Sequence, residues 1–199
     1  MGVSLRSGQV AGLLPAFMAV LISVLIVAAA QYVLTYDPRY VHLPGCTSTQ
    51  GRKWGARPAQ CRFLAVVIFR LSQVAGKRVP LLGSVVKQIN HVVTGADLAW
   101  EVSVGPGFML YHPTGVVMGR RVKAGTNLKV QSSVTISEAP RGQETVLGNN
   151  VRLGAGCRII KPLSLADDVS VGANAVVTKS CEHPGAVLVG IPAHELPAQ

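Results

Sequence analysis

His112 is the residue of this sequence whose type and setting first suggest chemistry. It stands in Leu110-Tyr111-His112-Pro113-Thr114-Gly115, beside a turn, and a neutral imidazole held there can take the proton of a hydroxyl, as a general base does. Asp97 lies upstream of it, a little less than one turn earlier in a chain that coils with a period of about 18 residues. This spacing puts the two side chains near one another on adjacent levels, where the carboxylate can orient the ring. A solvated surface histidine is the plain alternative. Metal chemistry is not expected: a zinc site on such a rod needs three converging histidines, and His42, His91, His183 and His194 fall outside the regular repeats.

The element that must hold these groups is announced by a period of six. Leu98, Val104, Leu110, Val116, Val122, Leu128 and Val134, then after a thirteen-residue step Leu147, Leu153, Ile159, Leu165, Val171 and Val177, are all Leu, Ile or Val. Gly or Ala follows the marker at Ala99, Gly105, Gly148, Gly154, Ala166 and Gly172, and the fourth residue after it is small or apolar at most steps. This is the hexapeptide pattern of a parallel β-helix, in which each unit gives a short strand and a turn, and three units close one triangular coil. Strands with glycine turns also occur in sandwiches, but those do not keep a fixed six-residue step. Where the step breaks, Glu138 to Thr145 lacks a marker; this stretch should bulge as a loop and wall a site, a tolerated insertion being the alternative.

Upstream, the chain divides into an apolar segment 1–36, a Pro/Gly-containing basic linker 37–60 and a helical segment 61–96, ahead of the repeat domain 97–199. No charge separates Arg6 from Asp37, and Ala11 to Tyr36 is long and apolar enough to span a bilayer. A cleaved signal peptide ending near Ala28-Ala29-Ala30 is the competing reading. One Arg precedes the span, whereas Arg39, Arg52, Lys53, Arg57, Arg62 and Arg70 follow it, so the repeat domain is expected on the cytoplasmic side of an anchored protein. Phe63 to Phe69 suits a helix on the membrane surface or against the end of the solenoid. Leu81, Leu82, Val85, Val86, Ile89, Val92 and Val93 mark one face of a second helix, with Gly95 as its C-terminal cap.

The net charge of +10 points to an anionic partner: lipid headgroups, a phosphorylated cofactor or nucleic acid. Nucleic acid is the least supported, since aromatic residues are sparse and no recognition motif occurs. Cys157 and Cys181 occupy inward positions on different faces and read as core thiols, while Cys46 and Cys61 could pair only outside the cytoplasm.

His112-Pro113-Thr114-Gly115-Val116-Val117-Met118-Gly119, then Val134-Thr135-Ile136, the loop, Leu153-Gly154-Ala155-Gly156, Val171-Gly172-Ala173 and Gly190-Ile191-Pro192-Ala193 resemble, in this order, the serine acetyltransferases and related membrane-associated polysaccharide acetyltransferases. The resemblance covers about Arg62 to Ala193. It implies a left hand for the coil and a homotrimer with active sites between neighbouring rods; with the segments read above, the expected fold is mainly β, a left-handed parallel β-helix of hexapeptide repeats preceded by α-helices and an N-terminal transmembrane helix. Acetyl-CoA would be the donor, His112 the base and Asp97 its orienting partner. The backbone at Ala155 and Ala173 would hold the pantetheine arm, and Lys179 and Arg158 would meet the CoA phosphates.

The sequence departs from that family at the acceptor side. Serine acetyltransferases carry an Asp before the catalytic His and an Arg-His pair after the loop that receives the amino acid's carboxylate; here Tyr111 and Gln143-Glu144 stand in those places, and Ser132 and Ser137 stand where Gln and Gly are common. A phenol and an anion are poor partners for an ammonium and a carboxylate. The expected reaction is therefore O-acetylation of a sugar hydroxyl on a surface polysaccharide or its precursor. Serine O-acetylation and a non-catalytic scaffold are the alternatives.

Overall fold

A computed structural model describes residues 57–197 of the chain. The apolar stretch 11–36, the linker up to residue 56, Cys46 and the Cys61 side chain lie outside the described residues. Among the described residues no helix is long and apolar enough to cross a membrane.

A helical hairpin comes first, α1 (Arg57–Arg78) and α2 (Pro80–Thr94). Gly95 closes α2 in the left-handed conformation at φ 76°, its N–H donating to the His91 carbonyl, as the sequence suggests. A solenoid of about five turns follows, with three parallel faces. The first face stacks β1 (Asp97–Leu98), β4 (Val117–Met118), β7 (Thr135–Ile136), β10 (Arg158–Ile159) and β13 (Val176–Val177). The second stacks β2 (Ser103–Val104), β5 (Val122–Ala124), β8 (Thr145–Leu147) and β11 (Ser164–Leu165). The third stacks β3 (Met109–Leu110), β6 (Lys129–Val130), β9 (Arg152–Leu153), β12 (Ser170–Val171) and β14 (Val187–Val189), and ends on the antiparallel β15 (His194–Glu195).

All thirteen marker residues are buried, yet they do not form one register. Leu98 pairs with Met118 and Leu110 with Val130, so the first coil is two residues longer than three hexapeptides. The steps from Met118 to Ile136 and from Ile159 to Val177 keep to three hexapeptides, whereas the step from Ile136 to Ile159 exceeds them by five. From Val116 to Val134 the markers therefore occupy the companion position two residues before the strand-paired one, which Met118, Val130 and Ile136 hold instead. The slip was invisible in the sequence because both positions point inward and both are apolar; a fixed step of six survived a two-residue insertion. The insertion lies between Leu110 and Val116, and the longer coil places five extra residues between Ile136 and Leu147 relative to a hexapeptide step, giving the loop that the missing marker foretold.

α1 seals the open end of the first coil. Its Ala65, Val66 and Phe69 join the core, and Phe69 meets Phe108 edge-on at a centroid distance of 5.8 Å. The first coil has no rung below it to take its carbonyls, and Arg70 supplies the donors instead, Nη1 to the Val104 carbonyl at 2.8 Å and Nη2 to that of Gly105 at 3.0 Å, while Gln73 donates to Val102. Of the two placements open to this helix, it takes the one against the solenoid.

α2 reverses the simplest reading of its pattern. Its buried residues are Gly83, Asn90 and Thr94, and its apolar stripe faces outward. The reason is close approach: a Cβ on Gly83 would fall 2.5 Å from the Gly76 Cα of α1, so the helices meet on backbone and small residues. Asn90 then donates from Nδ2 to the Ala65 carbonyl at 3.0 Å.

Candidate active site

The corner that leads from the third face to the first collects four of the residues singled out from sequence, Tyr111, His112, Ala155 and Ala173. Backbone hydrogen bonds align Tyr111, Gln131, Gly154 and Gly172 in one column, and Thr114, Ser132, Ala155 and Ala173 in the next. His112 and Pro113 are the two residues inserted between these columns on the first coil. Pro113 is buried and His112 exposed, so the insertion folds its ring inward and turns the imidazole out. His112, Ala155 and Ala173 thus lie along one edge of the rod, with about 4.8 Å per level. Ala155 is half-buried and Ala173 exposed, and their small side chains leave the backbone of that edge open to a ligand lying along it.

Asp97 starts the first face one level away. The Gly115 N–H donates to the Gly95 carbonyl at 2.9 Å, two residues before Asp97, while the Asp97 N–H itself bonds the Val116 carbonyl at 2.8 Å. Because the coil outruns three hexapeptides by the two inserted residues, the residue directly in register with Asp97 is Val117. The carboxylate does not hydrogen-bond His112. Its Oδ1, buried as an atom, lies 2.7 Å from Lys87 Nζ of α2, an ionic contact outside good hydrogen-bond directions. Sequence reasoning missed Lys87. Its only signal was its being the sole Lys or Arg of α2, ten residues ahead of Asp97.

The remaining residues sit elsewhere. Arg158 points outward from the first face, exposed. Lys179, Gln143 and Glu144 occupy the opposite corner, between the first and second faces, and are exposed. One chain therefore presents His112 and the loop on opposite edges of one sheet. The loop from Ser137 to Glu144 is pinned at its base: Arg121 donates from Nε to the Ala139 carbonyl at 2.7 Å and pairs with Glu138 at 3.0 Å, and Glu144 pairs with Lys123 at 2.6 Å. Gly119 makes the approach possible, since a Cβ there would collide with the Glu138 backbone. Among the described residues no three His, Cys, Asp or Glu side chains gather as metal ligands.

Two cysteines lie in the core as expected, free and buried. Burial pushes the Cys157 thiol up to about 12, so it stays protonated and inert at neutral pH.

A triangular rod of hexapeptide coils with a histidine lifted from one corner is similar to the hexapeptide-repeat acetyltransferases of the serine acetyltransferase type. The comparisons agree on that class. A serine acetyltransferase of Mycobacterium tuberculosis is 30% identical over 115 residues, covering 56% of this chain and 50% of that protein. One of Helicobacter pylori is 29% identical over 117 residues, covering 57% and 68%. The chain thus spans half the length of the mycobacterial relative. Among solved structures, the soybean serine acetyltransferase apoenzyme superposes with a TM-score of 0.67 at 22% identity, over 85% of this chain and 69% of that one. The Brucella abortus serine acetyltransferase gives 0.69 at 20% identity, over 87% and 72%. At such identities these structures speak for the fold. No family model matches the chain.

Proposed function

We propose that this chain is an acetyl-CoA-dependent O-acetyltransferase in which His112 is the general base. The observation that carries the reading is the shared edge of His112, Ala155 and Ala173. A thioester arm lying along the small residues would deliver its carbonyl to the histidine. The imidazole takes the proton of the acceptor hydroxyl as that oxygen attacks the thioester carbonyl. The tetrahedral adduct collapses, the C–S bond breaks, and the proton passes to the departing sulfur, giving the acetyl ester and free CoA thiol. Asp97, one level away and in contact with Lys87, is the carboxylate we assign to orient the ring once the acceptor is bound. Arg158, outward on the first face, and Lys179 of a neighbouring rod, whose loop-side corner would face this edge in the trimer, are the groups for the CoA phosphates.

We infer that L-serine is the acceptor. The support is that its relatives are serine acetyltransferases, together with fold neighbours solved in complex with serine and with CoA. This displaces the sugar hydroxyl as the leading acceptor. The sugar reading keeps one specific support: Glu144 is an anion already paired with Lys123, and Gln143 and Tyr111 are uncharged, a set suited to a neutral polyol. The assembly we infer is a homotrimer of left-handed rods, against the usual right-handed crossover preference, with the loop of one rod facing His112 of the next. Residues 11–36 would anchor it with the rod on the cytoplasmic side, where acetyl-CoA is available.

The test is CoA release from acetyl-CoA with L-serine and with free sugars as acceptors. Turnover with serine that falls by about 10²-fold or more in His112→Ala supports the reading. Turnover with sugars alone replaces the acceptor, and turnover unaffected by the substitution removes His112 as base.

A further inference from the structure

The apolar stripe of α2 has no partner among the described residues. Leu81 is 75% and Val92 76% exposed, Val85, Ile89 and Val93 about half, and a shallow groove runs between Val85, Ile89, Val92 and Val93. Positions 81, 85, 89 and 92 follow the helical repeat, so the stripe runs the length of a 15-residue helix, about 22 Å at 1.5 Å per residue.

Charge says what the stripe faces. Between residues 38 and 96 there are nine Lys and Arg and no Asp or Glu, whereas residues 97–199 carry nine basic and eight acidic residues. Nearly all the excess charge of the protein therefore precedes the rod. Arg70 and Lys87 are spent on the rod itself; Lys77 and Arg78 stand exposed at the turn into α2, beside Leu81 and Leu82. A second copy docked through this face would bring two acid-free hairpins together, with like charges opposed. The uncharged stretch 11–36 could cover the stripe but would leave the cations unanswered. An anionic bilayer answers both, taking the stripe into its interface and setting phosphates against the lysine and arginines.

We propose that α2 lies flat on an anionic phospholipid surface, stripe down, and holds the rod against the membrane. This goes beyond the catalytic reading and does not depend on the acceptor. It also differs from anchoring by residues 11–36, because it assigns a contact to a helix of the folded hairpin.

The experiment uses the full chain with a photo-reactive benzoylphenylalanine at Val92, which is exposed and outside the core, and a control chain with the same probe at Val146 on the second face of the rod. Each is bound to vesicles of phosphatidylcholine alone, or of phosphatidylcholine and phosphatidylglycerol at about 70:30, irradiated, and mapped by mass spectrometry. Lipid adducts at position 92 on the anionic vesicles are expected, falling roughly tenfold on neutral vesicles and in Lys77→Gln/Arg78→Gln, with none at position 146. Since a spanning segment alone would bring both probes to the vesicle, equal labelling at 92 and 146 overturns the proposal. So do crosslinks from 92 to a second copy or to residues 11–36, labelling indifferent to lipid charge, or no lipid adduct.

Discussion

Lys87 Nζ lies 2.7 Å from Asp97 Oδ1, joining α2 to the first strand of the rod across the turn at Gly95. Both side chains are about one-third exposed, so solvent screens the pair and it adds about 1 kcal/mol or less to folding. Its consequence is positional. With Oδ1 held, only the other carboxylate oxygen remains to address the histidine edge.

Lys87→Met is therefore expected to leave the thermal midpoint nearly unchanged while lowering kcat about tenfold, about 1.4 kcal/mol in the barrier, with little change in the KM for acetyl-CoA. Lys87→Arg should recover part of the loss. Steady-state kinetics of the three proteins beside their melting curves checks this, and equal kcat values would remove Lys87 from the site.

The register makes a second expectation. Met118 is 1% exposed and pairs with Leu98, while its neighbour Val117 points outward at 37%. Met118→Asp buries an unpaired charge and should cost several kcal/mol, whereas Val117→Asp should cost about 0.5 kcal/mol or less. Urea unfolding of the two variants decides it; the uninterrupted six-residue frame would have Met118 outside.

Cys157 should resist alkylation in the folded protein. Its thiol is buried and raised to about 12, so peptide mapping after iodoacetamide at pH 8 should find it unmodified until denaturant is added. Labelling at the rate of a free thiol would show that the core opens.

The C-terminal strand should loosen as pH rises. His183 Nδ1 meets Glu195 Oε2 at 2.8 Å, and this hydrogen bond raises the histidine above its usual 6.5. A raised value in the folded state means the contribution is complete below 6.5, provided Glu195 stays ionised, and is lost as pH climbs through the raised value. Hydrogen exchange of the β15 amides, corrected for intrinsic rates, should accelerate over that range, and His183→Gln should abolish the pH dependence.

How much of this was legible in the sequence varies with the physics behind each element. The rod was legible because a coil repeats the same demand at every level, and Leu, Ile or Val answers it thirteen times. The slip was not, since Val116, Val122, Leu128 and Val134 satisfy the companion inward position as well as the strand-paired one would. α2 showed its amphipathic stripe plainly but not its direction: a pattern reports that an apolar face exists, while Gly76 and Gly83 decide which face the neighbour takes. The His112 edge was half legible. The histidine stood out, but the alignment of Thr114, Ser132, Ala155 and Ala173 needs the true coil lengths, and the Lys87–Asp97 contact needs the hairpin folded back onto the first strand.

The insertion at the first corner has one more meaning. Without His112 and Pro113 the first coil would shrink to three plain hexapeptides, the length that the second and fourth already have. The chain would then be a more regular polymer and a blank one. Here the informative residues are those that the repeat does not need, so a deletion of two amino acids would yield a tidier object with nothing to say.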